Sequence, residues 1–345
     1  MSGGSLLKRV LRGARVRAAG PPHAMDPTVT PEDVRFAYRL VLGRHPDPDG
    51  WHTYTAMAGS TDVHELTGAL MSSEEFRATP MYRALSRSEH DELVLVEVEG
   101  FRLFVSPHDL LNRALVSDAR YEPHLTAAIR DALQPGSVFC DVGANIGYYS
   151  NLAAHVVGPT GSVVAFEALS RNVQLIRRSA LVNGHRTIVV HPSAVSDQPS
   201  VFRYVRAQGT NGYIAPIDPA DEAALTDPDL ELVQGARLDD VDLPARIDVL
   251  KIDVEGSEWL ALRGAQATIE RTRPTIFSEL CIGQLQRTSG VDGGTYLGML
   301  RDWDYDIDVL GFGGEIVPFG TEVDAAVRHA QAQPESHVDV RCTPR

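Results

Sequence analysis

The sequence predicts an α/β fold, a mostly parallel sheet with helices between its strands, preceded by a small all-α unit. Three observations predict it. Residues 137–147, SVFCDVGANIG, form a short apolar run of the kind buried on both faces of a central strand. Gly143 ends that run, and a helical stripe of Tyr148, Tyr149, Leu152, Ala153 and Val156 follows at once. From there strand and helix patterns alternate to about residue 280, whereas before residue 86 the apolar residues recur only at helical spacing.

With 345 residues the chain has room for a full α/β core and a smaller unit. Its 43% apolar and 23% charged residues are those of an ordinary globular protein, and a formal charge of −14 argues against a nucleic-acid groove. Three cysteines, Cys140, Cys281 and Cys342, lack metal-ligand spacing and point to a reducing cytoplasm without a zinc site. Residues 1–25 carry Lys8, Arg9, Arg12, Arg15 and Arg17 without an acid until Asp26, and are expected to be a disordered basic leader. No signal-peptide core and no membrane-spanning stretch occurs.

The small helical unit is placed at residues 26–86. Thr30 can cap a helix that Pro31 opens and Gly43 closes, with Val34, Ala37, Tyr38 and Val41 as its apolar stripe. Pro46 to Gly50 reads as a turn, whose Asp47 and Asp49 could also suggest calcium, and Val63, Leu66 and Leu70 mark a second helix. Residues 86–92 read as a linker. Beyond it, at 93–345, the larger domain opens with two alternating runs around Glu99-Gly100, a β-hairpin. A helix over 121–133, stopped by Pro135-Gly136, leads to the central strand.

Strand, glycine turn and helix start together aim free N–H groups and a positive dipole end at a ligand. A dinucleotide would need a second glycine where Asn145 stands between Gly143 and Gly147. Asn145 can instead hydrogen-bond an amino-acid group, and Asp141 offers a carboxylate to an ammonium, so S-adenosylmethionine fits better. Glu167 closes the second strand, 161–168, where it could accept from both ribose hydroxyls, and Ser193-Ala194 at the exit of the third strand would border an adenine. Asp253 and Glu255 end the fourth strand, and Glu279 ends the fifth; these three are the candidate catalytic acids. Glu258, at the start of the next helix, reads mainly as a dipole partner.

DVGANIGYYS, VVAFEA, SAVSD, RLDD, VLKIDVEGSEWLALRGA and RPTIFSEL, in that order, resemble the FkbM family of S-adenosylmethionine-dependent methyltransferases over about residues 122–280. The run AYRLVLGRHPDPDGWHTYTAMA with ALMSSEEF resembles small phycobilisome-linker-like helical domains. The first resemblance implies a class I methyltransferase fold, Rossmann-like, with a seven-stranded sheet and one reversed strand near its edge. It also implies O-methylation of a small-molecule hydroxyl on a sugar, glycoside, nucleoside or polyketide. Carried over by motif, Asp141, Gly143, Asn145 and Gly147 hold the methionine end, Glu167 the ribose, and Asp253 with Glu255 the floor of methyl transfer. Many members have F-E-P where this chain has Phe166-Glu167-Ala168.

Asp253 is the first candidate base, with Glu279, His124 and His191 as rivals; paired carboxylates could alternatively hold Mg²⁺. The irregular segment 207–235 is expected to be an acceptor lid or a disordered excursion. Strands at 307–310 and 315–319 would complete the sheet. The helical unit offers a surface for homo-oligomer contacts. The competing readings are an NAD-dependent oxidoreductase and a non-catalytic assembly protein with a vestigial cofactor fold.

Overall fold

The computed structural model describes residues 28–79, 82, 93–107, 109, 112–206, 212–227 and 230–345. The basic leader, the linker at 86–92 and residues 207–211 and 228–229 of the expected lid lie outside them. The chain divides into two compact units, 1–88 and 89–345.

In the first unit Thr30 and Asp33 form a reciprocal cap on helix Pro31–Ala37, which continues as a wider turn, Tyr38–Leu42, to Gly43. Pro46 to Gly50 is not merely a turn. Asp47 caps a helix, Pro48–Thr55, by accepting from Gly50 N at 2.7 Å, and its carboxylate also meets Arg44 at 3.0 Å. That pairing accounts for the acid that had suggested calcium. Val34, Tyr38, Leu66, Leu70 and Phe76 form the core of this unit.

The second unit opens with the expected hairpin, β1 (Val94–Val98) and β2 (Phe101–Val105), turned by Glu99 and Gly100, both left-handed. Its main sheet contains β3 (Val138–Val142), β4 (Ser162–Phe166), β5 (Ile188–His191), β10 (Val249–Ile252), β11 (Thr275–Cys281), β12 (Tyr305–Leu310), β13 (Ile316–Gly320) and β14 (His337–Pro344). The order is β13-β12-β14-β11-β10-β3-β4-β5. Pairs among β5, β4, β3, β10 and β11 are parallel, and β14 runs antiparallel to both β11 and β12. The mixed α/β architecture is as expected, but the sheet has eight strands rather than seven. The reversed strand inside it, β14, is drawn from 337–344, which sequence periodicity had not marked.

Alternate residues of each strand face opposite layers. Cys140, Val142, Leu250, Ile252 and Ile276 join one apolar core, and Phe139, Val163, Val249 and Phe277 join the other, under helix Tyr148–Val157 and the hairpin. Apolar side chains fill both layers, and the carboxyl edge of β3, β4, β10 and β11 is left as the place for chemistry.

The segment 207–235 is neither an irregular lid nor a disordered excursion in its described part. β8 (Gly212–Pro216) and β9 (Glu231–Ala236) pair on either side of β7 (Ser200–Arg206), with β6 (Ala194–Val195) beyond β9. Phe202, Ile214 and Val233 bury one face of this second sheet.

Candidate active site

β3 and β10 run side by side in parallel, with Asp141 directly opposite Lys251. At their ends Gly143, at φ 79°, passes so close to β10 that a Cβ there would lie 1.9 Å from the Asp253 carbonyl oxygen. Gly143 is therefore required by the approach of two strand ends. Gly147, at φ 88°, precedes helix Tyr148–Val157, and a Cβ on it would strike Ile176.

Asp141 is fully buried and points away from solvent, Oδ2 accepting from Ser150 Oγ at 2.6 Å and Oδ1 lying 3.7 Å from Lys251 Nζ. It does receive an ammonium as expected, but from the protein's own lysine. Lys251 reaches Asp253 Oδ2 at 3.1 Å and stands 5.3 Å from the centre of the Tyr149 ring. Burial opposes its charge; Asp253 and then Asp141 outweigh that and hold its pKa above the ordinary value. Sequence reasoning passed over this lysine, although a lone cation in the buried run VLKI was a visible signal.

Asn145, also left-handed at φ 49°, turns its backbone N–H to Glu167 Oε2 at 2.7 Å, while its side-chain oxygen accepts from Asn172. Its role in this arrangement is to brace Glu167. The other oxygen of Glu167 accepts from Leu169 N at 2.7 Å, so two backbone donors fix the carboxylate at the end of β4. Phe166, Glu167, Ser193, Ala194, Gly143 and Asp253 line one cavity together with Tyr204, Tyr213 and Ile214. Those last three residues come from β7 and β8, inside and beside the stretch expected to be a lid.

Gly143, Asn145, Asp253 and Glu255 also line a second cavity of about 200 Å³, with Tyr121, Glu122, Tyr149, Lys251, Glu279 and His337. The three candidate catalytic acids thus come together at one place. Glu255 sits at φ 54° and accepts from Gln284 Nε2 at 2.8 Å. Glu279 Oε1 is 3.0 Å from His337 Nε2, and Oε2 is buried without a hydrogen-bond partner. Burial, then Asp253 and other carboxylates nearby, push the Glu279 carboxyl well above its ordinary range. Glu258 is more than a dipole partner: it is buried, and Oε1 accepts from Val254 N and Gly256 N, holding the turn after β10.

The two histidine rivals stand elsewhere. His124 is buried against Asp339 at 2.7 Å, and His191 stacks on Phe166, with ring centres 4.7 Å apart.

Burial, opposed in each case by hydrogen bonds, raises the carboxyls of Glu122, Glu167 and Glu258 to about 7. Between the ordinary value of 4.5 and about 7 the folded state then binds more protons than the unfolded one. The contribution of these groups is complete below the ordinary carboxyl range and is lost as pH rises through about 7. The expected result is a thermal midpoint, measured without ligand, that falls by several degrees between about pH 5 and about pH 8. A midpoint that rises across that interval would contradict it.

Residues 141–307, a little under half of the chain, match the family described as Methyltransferase FkbM domain. No curated protein matches the chain. Among solved structures the chain is similar to a methyltransferase FkbM from Methylobacillus flagellatus KT, at 17% identity over 89% of this chain and 58% of that one, with a TM-score of 0.39. It is also similar to an S-adenosylmethionine-dependent O-methyltransferase from Thermotoga maritima, at 15% identity over 73% and 77% of the two chains, TM-score 0.39. A third, an S-adenosylmethionine-dependent methyltransferase from Aquifex aeolicus, has 13% identity over 69% and 95%, TM-score 0.38. The chain spans 58% of the length of the first of these. Among the described residues no helix is long and apolar enough to cross a membrane. The family match supports a methyltransferase as the enzyme class.

Proposed function

We propose that the chain transfers a methyl group from S-adenosylmethionine to a hydroxyl of a small, polar acceptor such as a sugar, glycoside or other natural product. The observation that carries this reading is the pair of cavities sharing Gly143, Asn145, Asp253 and Glu255. One has an acid braced for a ribose and a slot walled by Tyr204 and Tyr213; the other is lined by carboxylates, with the orphaned Oε2 of Glu279 in its wall.

S-adenosylmethionine, when bound, supplies an electrophilic methyl group. Glu167 and the Ser193-Ala194 turn hold the nucleoside, and Asp253 and Glu255 stand where the two cavities meet. Placement of the hydroxyl is the main contribution, since a held near-attack geometry is worth on the order of 7–11 kcal/mol. A base adds roughly 3–5 kcal/mol. Glu279 takes the hydroxyl proton in this reading. Asp253 is already paired with Lys251, whereas Glu279 has a buried oxygen without a hydrogen-bond partner, and burial beside other carboxylates raises its affinity for a proton. The acidic wall suits a neutral or cationic acceptor better than a phosphorylated one.

Asp253, Glu258 and Glu279 bring carboxylate oxygens within 4.8 Å of one another, which is the geometry a divalent cation would use. Two features oppose Mg²⁺ there. Lys251 supplies positive charge at 3.1 Å from Asp253, and Glu258 Oε1 is occupied by two backbone N–H groups.

Calorimetric titration of the full chain with S-adenosylmethionine, S-adenosylhomocysteine and NAD, with and without a chelator, tests the reading. Both sulfur nucleosides are expected to bind, NAD is not, and chelation should change neither affinity. Binding of NAD alone, or of no nucleoside, would remove the proposal.

A further inference from the structure

In the cavity beneath the glycine turn, carboxylates outnumber cations, and most of them are spoken for. Asp253 pairs with Lys251, Oε1 of Glu279 faces His337, and Glu255 accepts from Gln284. Glu122 differs. Its Oε2 accepts a hydrogen bond from Tyr149 Oη at 2.7 Å, a neutral donor, and among the described residues no lysine, arginine or histidine lies within ion-pair distance of it.

The backbone sharpens the point. Glu122 is left-handed at φ 36° and stands at the cap position ahead of Pro123, yet its side chain caps nothing. A glycine or asparagine would adopt that conformation more easily, and a serine or aspartate would cap more effectively. A long acid kept in a strained position, with its carboxylate fixed on Tyr149 at the cavity wall, is a charge that lacks its counter-ion. The raised pKa of Glu122 agrees with this: burial is its first cause, Asp253 and Asp339 add to it, and the Tyr149 hydroxyl and the more distant Lys251 offset it only in part.

We propose that Glu122 is a cofactor-binding residue: its carboxylate receives the ammonium of the cofactor's amino-acid end, and Tyr149 is the positioning residue that holds it there. The proposal rests on the cofactor reading above and assigns to Glu122 the task that Asp141 has in the sequence but cannot perform in the fold. An ammonium is the group that the cavity wants at this point, because Glu122 and the glycine turn residues Gly143 to Ile146 line the same space. Tyr149 follows that turn by two residues, so the helix that begins at the turn also carries the group that aims Glu122.

The test compares two probes by calorimetry on the full chain: S-adenosylhomocysteine, and 5′-methylthioadenosine, which has the same nucleoside and no amino-acid end. Glu122→Gln is expected to weaken S-adenosylhomocysteine by about 10–10²-fold, the range of a charged hydrogen bond, and to leave 5′-methylthioadenosine within about 2-fold. Repeating the titration at neutral pH in buffers of different ionisation heat should show proton release by the wild type, and less by Glu122→Gln. Retained binding of 5′-methylthioadenosine also reports that the variant is folded. Glu122→Asp, which keeps the charge, covers the case of a misfolded Gln variant and should retain proton release. Equal losses for both probes in a folded variant, or no loss for either, would overturn the assignment. A wild type that binds neither probe would overturn the cofactor reading itself, and the assignment with it.

Discussion

Lys251→Met is expected to lower the stability of the larger unit by about 3–5 kcal/mol, the cost of breaking a buried ion pair from one side. The lysine is 3% exposed and Asp141 is fully buried, so without Nζ the Asp141 carboxylate has only Ser150 Oγ to satisfy it. Chemical denaturation of the variant gives the number. The double replacement Asp141→Asn with Lys251→Met separates charge from packing: it should recover most of the loss, since no buried ion is then left alone. A single variant within 1 kcal/mol of wild type would show that Lys251 is not what neutralises this site.

Glu167→Ala is expected to weaken S-adenosylhomocysteine by at least about 10²-fold. Two effects combine. A carboxylate accepting from two ribose hydroxyls contributes roughly 1.5–3 kcal/mol for each charged hydrogen bond. Its removal also strands the N–H groups of Asn145 and Leu169, each of which bonds to Glu167 at 2.7 Å, and so loosens the glycine turn itself. Glu167→Gln tells the two apart, because it keeps one oxygen for a backbone donor while weakening the ribose contact. Calorimetry on both variants decides. Unchanged affinity in Glu167→Ala would move the ribose to another wall of the cavity.

What the sequence disclosed follows from how local each signal is. β3, β4, β10 and β11 were legible because each is a short apolar run buried on both faces and closed by a polar or glycine residue. β14 was not, because Asp339 and Arg341 interrupt its apolar residues, and its two partners lie far away in sequence. β8 and β9 were hidden for a related reason. Each has only one or two buried residues among turn-forming and acidic neighbours, so their pairing with β7 is decided by tertiary contact. In the site, Glu167, Asp253 and Glu279 could be read from strand ends alone. Lys251 stood in plain view inside a buried strand. Glu122 could not be read, since a Glu-Pro pair ahead of a helical stripe looks like an ordinary helix start, and only the fold reveals that its side chain is turned to Tyr149.

The position of β14 sets a schedule for biosynthesis. β11 leaves the ribosome with one long edge open, and the strand that covers it is still untranslated. At about 5–20 residues per second, the stretch from Cys281 to Pro344 takes roughly 3–13 s to make. For that interval the nascent chain exposes an apolar sheet edge in a crowded cell, the kind of edge that invites pairing with a neighbour. β12 and β13 are made first but find no place beside β11 until β14 slides between them. The nascent chain therefore carries this hazard over about its last fifth, and slow codons there would prolong it.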